Sequence, residues 1–312
     1  MSGLPVTAGS AISISPSGLS CYTAALVSLL QAEDAAVNEH FRAAVRLRVR
    51  TDSALPYFSH HDRFDMRSGT ALRYTGAAGW QPAREQLAAD VDAAGTVIAV
   101  ADTARLPWSP LLGRASSPHW ILLSRAAAGW SVVDPFEGLL PEGVVQGADV
   151  VMTDRELAEL LHPMPDQSGY LRARDEMALG QHIPSPPSHW YRWLTRGPVS
   201  ASVPQSGHWT TDTAASLEWI ADRLQAEPDL LGSWSQDLWA ATRHHQAALN
   251  AGTELSQDIV DRLAAWGELP RAVRFTADSA ARGRPRPGLL HLSLQRLIEL
   301  ERHNLDKENV HA

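Results

Sequence analysis

Residues 117 to 136 read SPHWILLSRAAAGWSVVDPF, two short runs rich in Val, Ile, Leu and Trp joined through Ala126 to Gly129. Runs of this kind bounded by Pro and Gly read as strands, and so short a connection predicts an antiparallel hairpin. His119 opens the first strand and Asp134 lies near the end of the second. If Arg125 pairs with Trp130, His119 pairs with Phe136, and Asp134 then falls two residues from that partner. It shares a sheet face with His119 and lies within diagonal reach. A carboxylate that fixes the tautomer of an imidazole is half of a nucleophile-activating relay. The plainer reading is two unrelated polar residues at strand ends.

The other half of such a relay is a nucleophile, and the chain has a single cysteine, Cys21. Residues 20 to 45, SCYTAALVSLLQAEDAAVNEHFRAAV, predict a helix with Ser20 as N-cap and an apolar stripe of Ala24, Leu26, Val27 and Leu30. Cys21 then sits in the first turn, where unpaired N–H groups and the helix dipole favour a thiolate. Against this stands the ordinary habit of single cysteines, which is to be buried and inert.

Further strands and helices place both halves in an α+β frame. GTVIAVAD at 95 to 102 reads as another strand, and TDRELAELLH at 153 to 162 as a helix opened by a capping box of Thr153 and Glu156. The stretch 163 to 206, with Pro163, Pro165, Pro184, Pro186, Pro187, Pro198 and Pro204, reads as irregular. Residues 212 to 249, 255 to 268 and 288 to 304 carry helical periodicity with mixed charge. The expected organisation is a catalytic domain over 1 to 165 and a mostly helical domain over 166 to 312. RGRPRP at 282 to 287 reads as a loop between helices.

The chain has 312 residues, 44% hydrophobic and 20% charged, enough for a substantial core and close to globular averages. Its net charge of −8 argues against nucleic acid as a partner. All but one of the 27 basic residues are Arg, Lys307 being the exception, a bias ascribed to a GC-rich bacterial genome. One cysteine excludes an intramolecular disulfide and multi-Cys metal centres. Residues 1 to 32 carry no charge, but they lack a basic n-region, and Pro5, Gly9, Pro16 and Gly18 interrupt any apolar run. No stretch of about 18 apolar residues suggests a membrane span. A cytoplasmic protein is expected. The pairs His60/His61 and His244/His245 have no neighbours at metal-ligand spacing, so no metal site is expected. The Arg42, Arg46, Arg48 and Arg50 run reads as a solvated face, or as a docking patch for an acidic partner.

Three segments together carry a resemblance: GLSCYTAALVSLL around Cys21, GTVIAVADTARLPWSP at 95 to 110, and SPHWILLSRAAAGWSVVDPF at 117 to 136. In this order they resemble the N-terminal domain of the butirosin biosynthesis protein H family, over roughly residues 10 to 162. In that family a cysteine at a helix start precedes a strand ending in Asp with a Leu-Pro-aromatic turn, a strand beginning with His and a strand ending in Asp-Pro.

The resemblance implies a papain-like fold with Cys21 as nucleophile, His119 as general base and acid, and Asp134 as orienting residue. Asp102 matches the strand-ending Asp and either lines the cleft or ties down the turn; Trp108 and Trp120 flank the site as pocket walls or as core. Two positions depart from the pattern. Ser20 stands where members often have His, and Ser15 where papain-like peptidases have a Gln, which leaves the oxyanion donors open among the Cys21 N–H, Ser15 and Ser20.

The activity implied is acyl transfer in specialised metabolism. An acyl group moves from an acyl carrier protein or related thioester to Cys21, and then to an amine or hydroxyl acceptor. No cofactor is bound by the protein itself; the phosphopantetheine arm of the carrier presents the donor. Two alternatives remain: a cysteine hydrolase (thioesterase, amidase or peptidase) with water as acceptor, and a noncatalytic carrier-binding module. The helical half is open to three uses: closing over the cleft, binding the acceptor, or forming a homodimer interface.

Overall fold

The computed structural model describes residues 14–53, 55–140, 143–165, 167–199, 207–252 and 256–311. Pro5, Gly9 and Pro204 lie outside them. In chain order the elements are α1 (Cys21–Gln31), α2 (Val37–Ala44), β1 (Val45–Val49), β2 (Phe58–His61), β3 (Thr70–Ala77) and α3 (Trp80–Ala94). Then follow β4 (Thr96–Asp102), β5 (Pro118–Ala126), β6 (Gly129–Asp134), β7 (Gly138–Leu140), β8 (Gly143–Val145), β9 (Ala148–Met152) and α4 (Asp154–Leu160). The chain continues through α5 (Gly169–Met177), β10 (Tyr191–Pro198), α6 (Thr213–Ala226), α7 (Leu230–Asn250), α8 (Gln257–Ala281) and α9 (Gly288–His311). The architecture is α+β, about 49% helix.

The main sheet has six antiparallel strands in the order β3-β10-β4-β5-β6-β9. Its two faces follow from alternation along each strand. In β4, Val97, Ala99 and Ala101 join Ile121, Leu123, Trp130 and Val132 on one face, where α3 (Ala83, Leu87, Val91) and α4 (Leu157, Leu160) cover them. Ile98 and Val100 join Tyr74, Trp120 and Leu194 on the other face, under α1. A helix buried on one side only would need a stripe; α1 has eight buried residues among eleven, from Tyr22 to Leu30. It is apolar nearly all round because Ala25, Leu26 and Leu29 meet the sheet while Ala24 and Val27 pack with Phe41, Phe136 and Val145. Each fully buried Leu here is worth roughly 1.5–3 kcal/mol.

The helix expected over 20 to 45 is two helices. Asp34 accepts the Ala36 N–H at 2.8 Å, and this local turn competes with continuation of the helix. The last residue of the expected helix, Val45, opens the strand β1, where Arg46 and Arg48 alternate with Leu47 and Val49.

The division expected at residue 165 does not separate two layers. β10 comes from beyond it and lies between β3 and β4, pairing Arg192 with both Gly76 and Val100. Conversely, Leu47, Val49 and Phe58 of the first half belong to the core of the helical half, with Leu217, Trp234, Trp266 and Leu297. α5 and β10 both fall in the Pro-rich stretch read as irregular. The prolines flank β10 rather than interrupt it, Pro198 being its last residue, so their density conceals the strand's alternation. Among the described residues no helix is long and apolar enough to cross a membrane.

Candidate active site

Cys21 is the first residue of α1 and is partly exposed. The helix starts there because Ser20, extended at φ −67° and ψ 157°, caps it by accepting the Thr23 N–H. The first amides of any helix have no intrahelical acceptor, so Cys21 sits where the field favours negative charge on sulfur.

β5 and β6 bring His119 and Asp134 to the same end of the sheet. Arg125 pairs with Trp130, the register on which the sequence argument rested. His119 Nε2 lies 2.7 Å from Asp134 Oδ2. The same oxygen accepts the indole N–H of Trp108 at 2.7 Å, and Oδ1 accepts the Phe136 N–H at 3.0 Å. Asp134 is 1% exposed and His119 4%, so both groups are removed from bulk water.

His119 is also hydrogen-bonded with Cys21, and because Nε2 faces Asp134, Nδ1 is the nitrogen left for the sulfur. Burial disfavours the imidazolium, but the charges of Asp134 and Cys21 and the hydrogen bonds to both outweigh it. The pKa of His119 is raised to about 10. At neutral pH the ring is therefore doubly protonated, the form that pairs with a thiolate and carries a proton ready for a leaving group. One face of the ring meets Phe136 edge-on at 5.7 Å, and Phe136 meets Trp239 of α7 at 6.0 Å. Gly138 lies so close to Phe136 that a Cβ there would come 3.1 Å from its ring.

The other residues singled out in the sequence divide. Asp102 accepts the Ala104 N–H at 3.0 Å and the Ser116 hydroxyl at 2.8 Å. It ties together the two ends of the loop that carries Trp108, the turn-fixing role. Trp120 points to the opposite face of the sheet from His119's neighbour Ile121; it is fully buried and packs edge-on against Tyr22 at 5.0 Å. It is core on the face that α1 covers, in the cluster against which Cys21 also packs. Ser20 donates its hydroxyl to Thr23 Oγ1 at 3.1 Å, which leaves no proton for an oxyanion. Ser15 is exposed and its hydroxyl lies 3.0 Å from that of Ser17. Of the three donors, the Cys21 N–H is the one carried on the same residue as the sulfur.

α7 adds residues that the sequence reading did not place at the site. His244 Nε2 lies 3.3 Å from Ser20 Oγ, behind the helix start, and Arg243 Nε donates to the Gly18 carbonyl and stacks over Trp239. The HisHis dipeptide was the available signal, but nothing in the sequence pairs residue 244 with residue 20. His60 and His61 approach His244, with ring centroids at 5.6 and 6.1 Å. Burial holds His61 near 4 and His244 well below its ordinary value, the neighbouring imidazoles adding to the effect for His244. His61 and His244 are thus neutral, packed rings, while His60 Nε2 lies 3.1 Å from Asp237 Oδ1. Among the described residues no set of three His, Cys, Asp or Glu is arranged to hold a metal.

The Arg run does not form one patch. Arg46 and Arg48 both pair with Asp62, and Arg50 with Asp52 at 2.7 Å. Of these four, Arg42 alone has no ion pair with a described residue.

No protein-family model matches the chain, and no curated protein matches it.

Proposed function

We propose that the protein is a cysteine-dependent acyltransferase with a papain-like catalytic arrangement, related to the butirosin biosynthesis protein H family. The observation that carries this reading is the relay itself: a sulfur at the start of a buried helix, an imidazolium against it, and a carboxylate fixed by three donors behind the imidazolium.

The sulfur of Cys21 attacks the carbonyl carbon of a thioester, forming a new C–S bond. The tetrahedral oxyanion faces the Cys21 N–H, and as it collapses the donor C–S bond breaks. The departing thiolate takes the proton of His119. His119, now neutral, accepts a proton from the incoming amine as its nitrogen attacks the acyl-enzyme, and Cys21 leaves as thiolate beside the restored imidazolium. Thioester exchange is close to thermoneutral, and amide formation drives the second half. A carrier protein's phosphopantetheine thioester suits this chemistry as donor, because the thiolate it releases is a good leaving group.

The partial exposure of Cys21 supports a second reading in which water takes the acceptor's place. Product analysis separates them. With an acyl-pantetheine thioester and a primary amine, the transferase yields amide in excess over free acid, and Cys21→Ala yields neither above background. Free acid alone, unaffected by amine, assigns a hydrolase. Turnover that persists in Cys21→Ala removes both readings.

A further inference from the structure

A cavity of about 570 Å³ is lined by α2 and the start of β1, the residues that lead into α6, and α7, α8 and α9. None of Cys21, His119 and Asp134 lines it. Its charged walls are Arg42, Arg46 and Arg262 against Asp212 and Glu301, so the lining sums to 3 − 2 = +1 in a protein whose net charge is −8.

The acceptors in this cavity are already used, whereas donors are left over. Asp212 Oδ1 accepts the Ala215 N–H at 2.9 Å and Oδ2 the Thr211 hydroxyl at 2.7 Å. Glu301 accepts Arg262 through Nε at 3.2 Å and Nη2 at 2.8 Å, and the Trp266 indole N–H at 2.8 Å. Arg46 pairs with Asp62. Arg42 has no ion pair among the described residues, and its guanidinium offers five N–H donors. His245 is 6% exposed and stacked flat on Trp266 at 4.1 Å, and its Nε2 has no hydrogen-bond partner. A buried polar atom without a partner costs free energy unless a ligand or water satisfies it. Burial keeps His245 neutral, with a pKa near 4, so an anion beside it meets a hydrogen-bonding ring and not a second buried charge. Val45, Leu249 and Leu305 supply an aliphatic wall.

We propose that this cavity binds a small organic anion, a phosphate ester or a carboxylate, with Arg42 and Arg46 on the charged group, His245 at the inner wall and the aliphatic side chains on the organic part. The volume falls within the few hundred to about 1,000 Å³ of small-ligand pockets, and a guanidinium fork matches either anion. The site is independent of the acyl-transfer reading, and its test involves no turnover.

The test is isothermal titration of the full-length protein with phenyl phosphate and, separately, with benzoate, which share a ring and differ in the anion. Saturable binding of at least one probe near one per chain is expected, weakened at least tenfold by Arg42→Ala, lost in Ala248→Trp, and unchanged by Arg271→Ala on an exposed face of α8. The probe that binds identifies the anion class. No saturable binding of either probe, or binding of equal strength in Arg42→Ala, overturns the proposal.

Discussion

Asp134 accepts three donors on two oxygens, and each has a separable consequence. Trp108→Phe keeps the ring and removes the indole N–H from Oδ2; a hydrogen bond to a charged group is worth about 1.5–3 kcal/mol. Trp108 is a positioning residue, so the expected outcome is a fall in kcat of roughly tenfold with KM little changed and the fold retained, read by steady-state kinetics and circular dichroism. Asp134→Asn removes the charge that holds His119 protonated. Burial then dominates, so the His119 pKa falls from about 10, and the alkaline limb of kcat/KM moves to lower pH. Imidazole titration by NMR in the two proteins reads the same shift directly. The sign for stability follows. A pKa raised above 6.5 stabilises the fold fully below about pH 6.5, and that contribution is lost as pH rises through about 10. His119 and Asp134 were legible from the sequence because two-residue alternation and one short turn fix where they meet. Trp108's bond to Asp134 was not, since the loop from 103 to 117 has no period from which to aim an indole.

At the scale of elements, the start of α1 sets the position of the sulfur. Ser20→Ala removes a cap, which typically costs about 1 kcal/mol, and also strips buried His244 Nε2 of its neighbour. Urea unfolding should show a lower midpoint with an unchanged m-value, and the rate of Cys21 alkylation by iodoacetamide should change with it. An unaltered alkylation rate would separate the cap from the thiol's environment. Helix starts and the capping box of Thr153 with Glu156 are readable because they depend on residues three apart. The break after Gln31 was missed because Asp34 reads equally as a helix residue and as a turn former, and only the path of the following chain decides between them.

For the whole molecule, the decisive element is β10. It supplies the strand between β3 and β4, and its Arg192 reaches buried Asp175 of α5, so the sheet is incomplete without residues beyond 165. A fragment ending at residue 165 is therefore expected to lack a cooperative unfolding transition in calorimetry, whereas the full chain shows one. Long-range pairing of this kind leaves no local trace: YRWLTRGP is buried over its first four residues, and nothing in it names its neighbours. The same holds for α7, whose Trp239, Arg243 and His244 adjoin a site announced by Cys21 and Ser20, the Ser20–His244 contact spanning 224 residues.

The central claim is that Cys21 becomes acylated with the help of His119. Intact-mass spectrometry after incubation with short acyl-pantetheine thioesters tests it most directly, with peptide mapping to locate the adduct. An acyl-sized gain on Cys21 is expected in the wild type, absent in Cys21→Ala, strongly diminished in His119→Ala, and discharged faster by added amine than by water. A wild type that stays unmodified by every thioester offered, or an adduct that forms equally well in Cys21→Ala, would contradict it.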